Sequence, residues 1–296
     1  MKQALVRSLN NASVWLLHQV GVNKAIEMST RLGISTLVLP DDRNLALALG
    51  GLTKGVTPLD LAAAYMAFAN QGVRYEPYAV EMVVDNRGNT LFRQRPRGHR
   101  VLSEETAYFV TNMLQAVIER GTGTAANIGR PAAGKTGTTN DARNAWFIGY
   151  TPQLLASVYV GNDDNSPLPG GGSSLAAPIW GKFALQALRD TPAEGFRIPV
   201  NVVTNIPIDI FTGLLANDFC QLQERDAFAT GQAPRQAAPC YFGAAQPQPY
   251  QLASQGAQPS ATATATAVLL PEEAPDPSTL PTIPFLSEGS TPSEYE

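Results

Sequence analysis

Cysteine and histidine are nearly missing from this chain, with two of each in 296 residues. Cys220 and Cys240 stand at no spacing used by metal-binding motifs, and His18 has no partner at metal-ligand spacing, so no metal centre is expected. The two thiols are either a disulfide or inert. No apolar run approaches the roughly 20 residues that a helix needs to cross a bilayer. The opening segment has basic residues, but its apolar stretch from Ala12 to Leu17 is shorter than a signal core and no cleavage site follows, so the chain is expected to carry no address of its own. Lys and Arg are absent after Arg235, where Glu272, Glu273, Asp276, Glu288, Glu294 and Glu296 supply six of the 25 acids; upstream, 21 basic groups face 19 acidic ones. That balance gives no basic footprint for nucleic acid and no polybasic membrane patch. Finally, no lysine in the chain has a serine three residues before it.

What is present divides by texture. Through residues 1–190, apolar periodic segments alternate with short Gly, Pro and Asn punctuation, as in a folded domain. Residues 191–241 are looser and form a separate extension. Residues 242–296 are rich in Pro, Ala, Thr, Ser and Glu and can bury too little apolar surface to offset their ordering entropy, so a disordered tail is expected.

Local signals place the elements. "TPLDLAAAYMAFANQG" has Thr57 as cap, Pro58 in the first turn, an Ala-rich body and Gly72 as terminator, which predicts a helix. "NKAIEMSTRLG" predicts a shorter amphipathic helix ending at Gly33, and "SEETAYFVTNMLQAVIERG" a helix capped by Ser103 and stopped at Gly121. "AVEMVVDNRGNTLFR" reads as two strands around the turn Asn86 to Asn89. Three strand-like runs, "RPAAGKTGTT", "NAWFIGYT" and "LLASVYVGN", are joined too tightly to be parallel. "SSLAAPIWGKFALQALRD" closes the set as a helix, with Ser173 or Ser174 expected as its cap. The predicted class is α+β, with helices packed on an antiparallel sheet. Trp15, Trp146 and Trp180 are assigned to packing, and His18 to an ordinary place on a helix.

The chemistry centres on Lys135-Thr136-Gly137-Thr138. On a strand lining a cleft, Lys135 presents a cation and the hydroxyls of Thr136 and Thr138 present donors, a set suited to a substrate carboxylate. Gly137 lets a ligand backbone lie close. A Lys-Thr-Gly arises by chance in about one chain of this length in fifteen, so its meaning comes from its surroundings. Upstream, Ser8-Leu9-Asn10 has the S-x-N form that, with S-x-x-K and K-T-G, makes up the site of serine acyltransferases.

Together with "SLNNASVWLLHQVGVNKAIEMSTRLGI", "LALGGLTKGVTPLDLAAAYMAFANQGV", "ERGTGTAA", "GKTGTTND" and "AWFIGYTPQLLASVYVGND", these motifs resemble the transpeptidase domain of class A penicillin-binding proteins over residues 1–190, and more weakly that family's C-terminal extension. The resemblance implies that Ser8 relays a proton, Asn10 holds the substrate backbone, and Lys135 with Thr136 and Thr138 binds the terminal carboxylate. It also implies peptidoglycan stem peptides and β-lactams as ligands, no cofactor, and the extracytoplasmic face of the membrane as the location of the whole protein. The family's nucleophilic serine heads S-x-x-K upstream of S-x-N, and here that motif is absent. The chain therefore reads as a transpeptidase begun inside its catalytic domain, inactive alone and needing the N-terminal part of the same protein. A non-catalytic remnant is the alternative reading, and a β-lactamase fits the central helix less well. Asn144 departs from the acid usual before "AWF". A place outside the cytoplasm also favours the bridge between Cys220 and Cys240 over two free thiols.

Overall fold

The computed structural model describes residues 1–240, and the tail expected from 242 onward lies outside them. A short helix α1 (Lys2–Val6) turns into α2 (Asn10–Val20) and α3 (Val22–Arg31), the last two divided by Gly21. In α4 (Pro58–Ala69) the hydroxyl of Thr57 accepts the N–H of Asp60 at 3.0 Å, and Pro58 fills a position whose N–H would go unpaired. The chain leaves α4 through Gln71 and Gly72, both at positive φ. A Cβ on Gly72 would lie 2.1 Å from the carbonyl oxygen of Leu102, so only glycine fits this turn.

After β1 (Val73–Tyr75) comes the expected hairpin, β2 (Met82–Val84) and β3 (Thr90–Arg93), whose turn is held by the carboxylate of Asp85 accepting from the N–H groups of Arg87 and Asn89. A short strand β4 (Gly98–Arg100) returns to pair antiparallel with β1. Helix α5 (Glu104–Arg120) starts where the Ser103 hydroxyl accepts the N–H of Thr106, and ends at Gly121.

The central sheet is β5 (Ala133–Thr138), β6 (Asn144–Tyr150) and β7 (Leu155–Gly161), antiparallel and in that order. Both faces are covered. On one, Phe147 and Ala132 pack with Ile118, Ala126 and the fully buried Trp180 of α6 (Ala177–Ala187). On the other, Tyr150 and Ala133 pack with Leu114 and Val117 of α5 and with Tyr65 and Phe68 of α4. Alternation along β6 sends Phe147 and Tyr150 to opposite faces.

Two expectations fail here. Neither Ser173 nor Ser174 caps α6, because the chain enters it through a π-helical turn, Gly172–Ala176, in which the Ser174 hydroxyl accepts the N–H of Gly171 from inside. The approach to the sheet, rather than a serine cap, sets where the helix begins. Trp15 is not packed but 60% exposed, since α2 turns Leu17 inward and leaves Trp15, Leu16 and Val20 outside. Trp146 lies against Tyr159, ring centroids 4.7 Å apart, and His18 is exposed.

Residues beyond α6 form a bulged antiparallel hairpin, β8 (Val202–Asp209) and β9 (Gln223–Ala229), followed by a segment that a Cys220–Cys240 disulfide ties back, Cα atoms 5.1 Å apart. The hairpin docks on the helices: Lys2 donates to Asp226, to the carbonyl of Arg225 and to Asn112, while Arg120 pairs with Glu224.

Candidate active site

The turn between α1 and α2 is tight. Ser8 donates its N–H to the carbonyl of Leu5, Leu9 donates to that of Ala4, and Ser8 itself sits at φ 54°, a conformation uncommon for a residue with a Cβ. The segment leaving α5 fixes this turn, because the N–H of Thr122 donates to the carbonyl of Val6 at 3.2 Å. A Cβ on Gly121 would lie 2.5 Å from the same oxygen, so the approach needs glycine.

Lys135 lies on β5 opposite Ile148 and is half-buried. Its Nζ donates to the Ser8 hydroxyl at 2.8 Å and to the carbonyl of Thr136 at 3.0 Å. An ammonium has three N–H groups, and among the described residues the third has no partner, which leaves it for a ligand. Burial pulls the Lys135 ammonium down to about 8, because the charged form loses hydration there. A cation with one free donor and a weakened hold on its proton suits both anion binding and proton exchange with a hydroxyl.

The other expected site residues are placed differently from one another. Asn10 is the first residue of α2, exposed, and its side chain makes no hydrogen bond among the described residues. The Thr136 hydroxyl is paired with that of Thr122 at 2.7 Å, and the Thr138 hydroxyl accepts the N–H of Gly172 at 2.9 Å. Both threonines therefore have protein partners as well as any ligand role, which the strand reading did not anticipate. Gly137 also has a packing reason, since an added Cβ would press the Cβ of Trp146 at 3.1 Å. At the sheet's end, Asn144 accepts from the Tyr159 hydroxyl at 2.6 Å, which builds it into the β6–β7 strand pair.

Thr122 and Gly172 are the contributors that residue-by-residue reasoning missed. Thr122 lay within "ERGTGTAA", but nothing local marks its hydroxyl as a partner of residue 136. An open hollow of about 480 Å³, lined by Gln3, Val6, Arg7, Arg120, Gly121 and Thr122, adjoins this turn. Neither this hollow nor a second one, of about 230 Å³ beside Tyr108 and Phe196, is lined by Ser8, Asn10 or Lys135.

The sequence profile described as penicillin binding protein transpeptidase domain matches residues 1–184. Penicillin-binding protein 1A of Clostridium botulinum is 38% identical over 230 residues, which is 76% of this chain and 27% of that protein. The chain thus spans about a quarter of that relative's length. The crystal structure of penicillin-binding protein 1A from Haemophilus influenzae superposes with a TM-score of 0.70 at 28% identity, covering 80% of this chain and 41% of that one. The PonA1 protein of Mycobacterium tuberculosis, solved in complex with penicillin V, gives a TM-score of 0.60 at 27% identity over 68% of this chain and 59% of its own. With a pair of motifs 127 residues apart joined by one hydrogen bond, and with these matches across most of its described length, the chain belongs to the transpeptidase family of the class A penicillin-binding proteins.

Proposed function

We propose that this chain forms the substrate-holding side of a peptidoglycan D,D-transpeptidase site whose nucleophilic serine comes from outside its 296 residues. The supporting observation is the contact of Lys135 Nζ with Ser8 Oγ at 2.8 Å. In this reading the free N–H of Lys135 takes the terminal carboxylate of a D-Ala-D-Ala stem peptide, and the idle amide of Asn10 holds the peptide backbone. Ser8 passes a proton between the Lys135 side and the leaving amine while the serine forms an acyl-enzyme. Thr136 and Thr138 line the same strand, with their rotors set by Thr122 and Gly172. β-Lactams, which carry a matching carboxylate, enter the same site, and the whole protein works at the extracytoplasmic face of the membrane.

The chain alone is then unable to acylate. Intact-mass spectrometry after incubation with a fluorescent penicillin should show no covalent adduct. Stoichiometric acylation would overturn the assignment of the nucleophile. In parallel, an N-acyl-D-Ala-D-Ala peptide should shift the NMR resonance of the Lys135 side chain in wild type, and the Asn10→Ala variant should need several-fold more peptide. No shift at any concentration would mean that the site is not formed.

A further inference from the structure

We propose that the reduced form of this chain binds one divalent cation of the zinc type between Cys220, Cys240 and Asp209. One carboxylate oxygen of Asp209 and both sulfur atoms lie within 4.8 Å of one another, and all three residues are buried. Asp209 ends β8. Its Oδ2 accepts the N–H of Thr212 at 2.9 Å and the hydroxyl of Thr212 at 2.7 Å, whereas its Oδ1 is buried with no hydrogen-bond partner. A buried carboxylate oxygen without a donor is costly, and a cation would answer it. Spacing along the chain does not reveal this set, because the third ligand comes from a strand end before the two cysteines rather than from a metal-type motif.

The two cysteine segments do not depend on the sulfur–sulfur bond to stay together. The side-chain amide of Asn217 donates to the carbonyls of Ala238 and Cys240, and the backbone joins Leu215 to Gln236 and to Ala238. After reduction the sulfurs need only separate to about 3.8 Å, the spacing of two thiolates at about 2.3 Å from one tetrahedral metal, with Asp209 as third ligand and water as fourth.

The exchange balances. A dithiol reductant gives two electrons and two protons to the bridge and closes its own disulfide, leaving two protein thiols. The cation then forms two sulfur–metal bonds and one oxygen–metal bond, and the two thiol protons pass to solvent. Bridge and metal are thus alternative staples of one segment.

Cobalt(II) is the probe, added to the full chain after complete reduction with a phosphine. One cobalt per chain should bind, with sulfur-to-cobalt charge-transfer absorption and tetrahedral visible bands, and zinc should displace it. The oxidised chain and the Cys240→Ser variant should show neither band. Asp209→Asn should weaken binding by at least about tenfold, the lower end of what loss of an outer-shell partner costs at metal sites. Absence of the bands in the reduced chain overturns the proposal. So does undiminished binding in Asp209→Asn, which would mark a floppy dithiol rather than a built site.

Discussion

If Lys135 binds the substrate carboxylate as an ammonium, its lowered affinity for a proton must appear in ligand binding. With its titration at about 8, about nine-tenths of the chains carry the charge at pH 7 and about one-tenth at pH 9. Affinity for an N-acyl-D-Ala-D-Ala peptide should then fall about tenfold across that interval, or about 1.4 kcal/mol. A lysine at the ordinary value near 10.4 would lose only about 4% of its charge over the same range, so the two cases separate cleanly. The assay is a peptide titration at several pH values followed by NMR, with the chain labelled at lysine Cε so that Lys135 is titrated directly. Ser8→Ala removes an acceptor that favours the charged form and should move Lys135 further down. Lys135→Arg should flatten the pH dependence. The same burial has a consequence for stability. Between about 8 and 10.4 the unfolded chain holds the proton that the folded chain has released, so stability should rise with pH through that window. A directly measured titration of Lys135 above 10, with flat peptide affinity from pH 7 to 9, would refute the reasoning.

Gly172→Ala should destabilise by about 1–3 kcal/mol, because its Cβ would meet the carbonyl oxygens of Gly137 and Trp146 at 2.5 Å; an unchanged denaturant midpoint would show that the turn yields freely. Trp180→Ala removes a fully buried indole together with its N–H donation to the carbonyl of Gly149 at 3.1 Å, and should cost about 3–5 kcal/mol in chemical denaturation. Among the described residues β7 has no partner on its outer side, while Trp15, Ile179 and Phe183 are each about half exposed or more, so the chain should self-associate and melt broadly. A sharp melt of a monomer in sedimentation would contradict that reading.

Long elements with chemical end signals were legible in the sequence. Thr57 and Ser103 marked helix starts because their hydroxyls accept otherwise idle N–H groups, and Pro58 because it has no N–H to leave unpaired. The three-stranded sheet was legible because apolar runs stood close together. β1 and β4 were not, since each has three residues and their pairing depends on the Gly72 turn, whose carbonyl accepts from Val101 and Leu102. The candidate site could be drawn from motifs, but its contacts could not. Ser8 and Lys135 were paired by resemblance, whereas the hydroxyl pair Thr122–Thr136 and the Gly172–Thr138 bond arise from the third dimension alone. Trp15 misled because the aromatic character that marks a core residue also marks a surface awaiting cover.

The docking of Lys2 has a mechanical meaning for the site. All three of its N–H groups are taken, by Asp226, Arg225 and Asn112, whereas Lys135 keeps one in reserve. Lys2 begins the helix that runs into the Ser8 turn, and Arg120 ends the helix whose next residues hold that turn. The β8–β9 hairpin grips both through Asp226 and Glu224. It acts as a clamp on the frame that carries the serine hydroxyl, at a distance from any ligand. Loosening the clamp would let the α1 end pivot, and an oxygen held 2.8 Å from its ammonium would become one that only visits it.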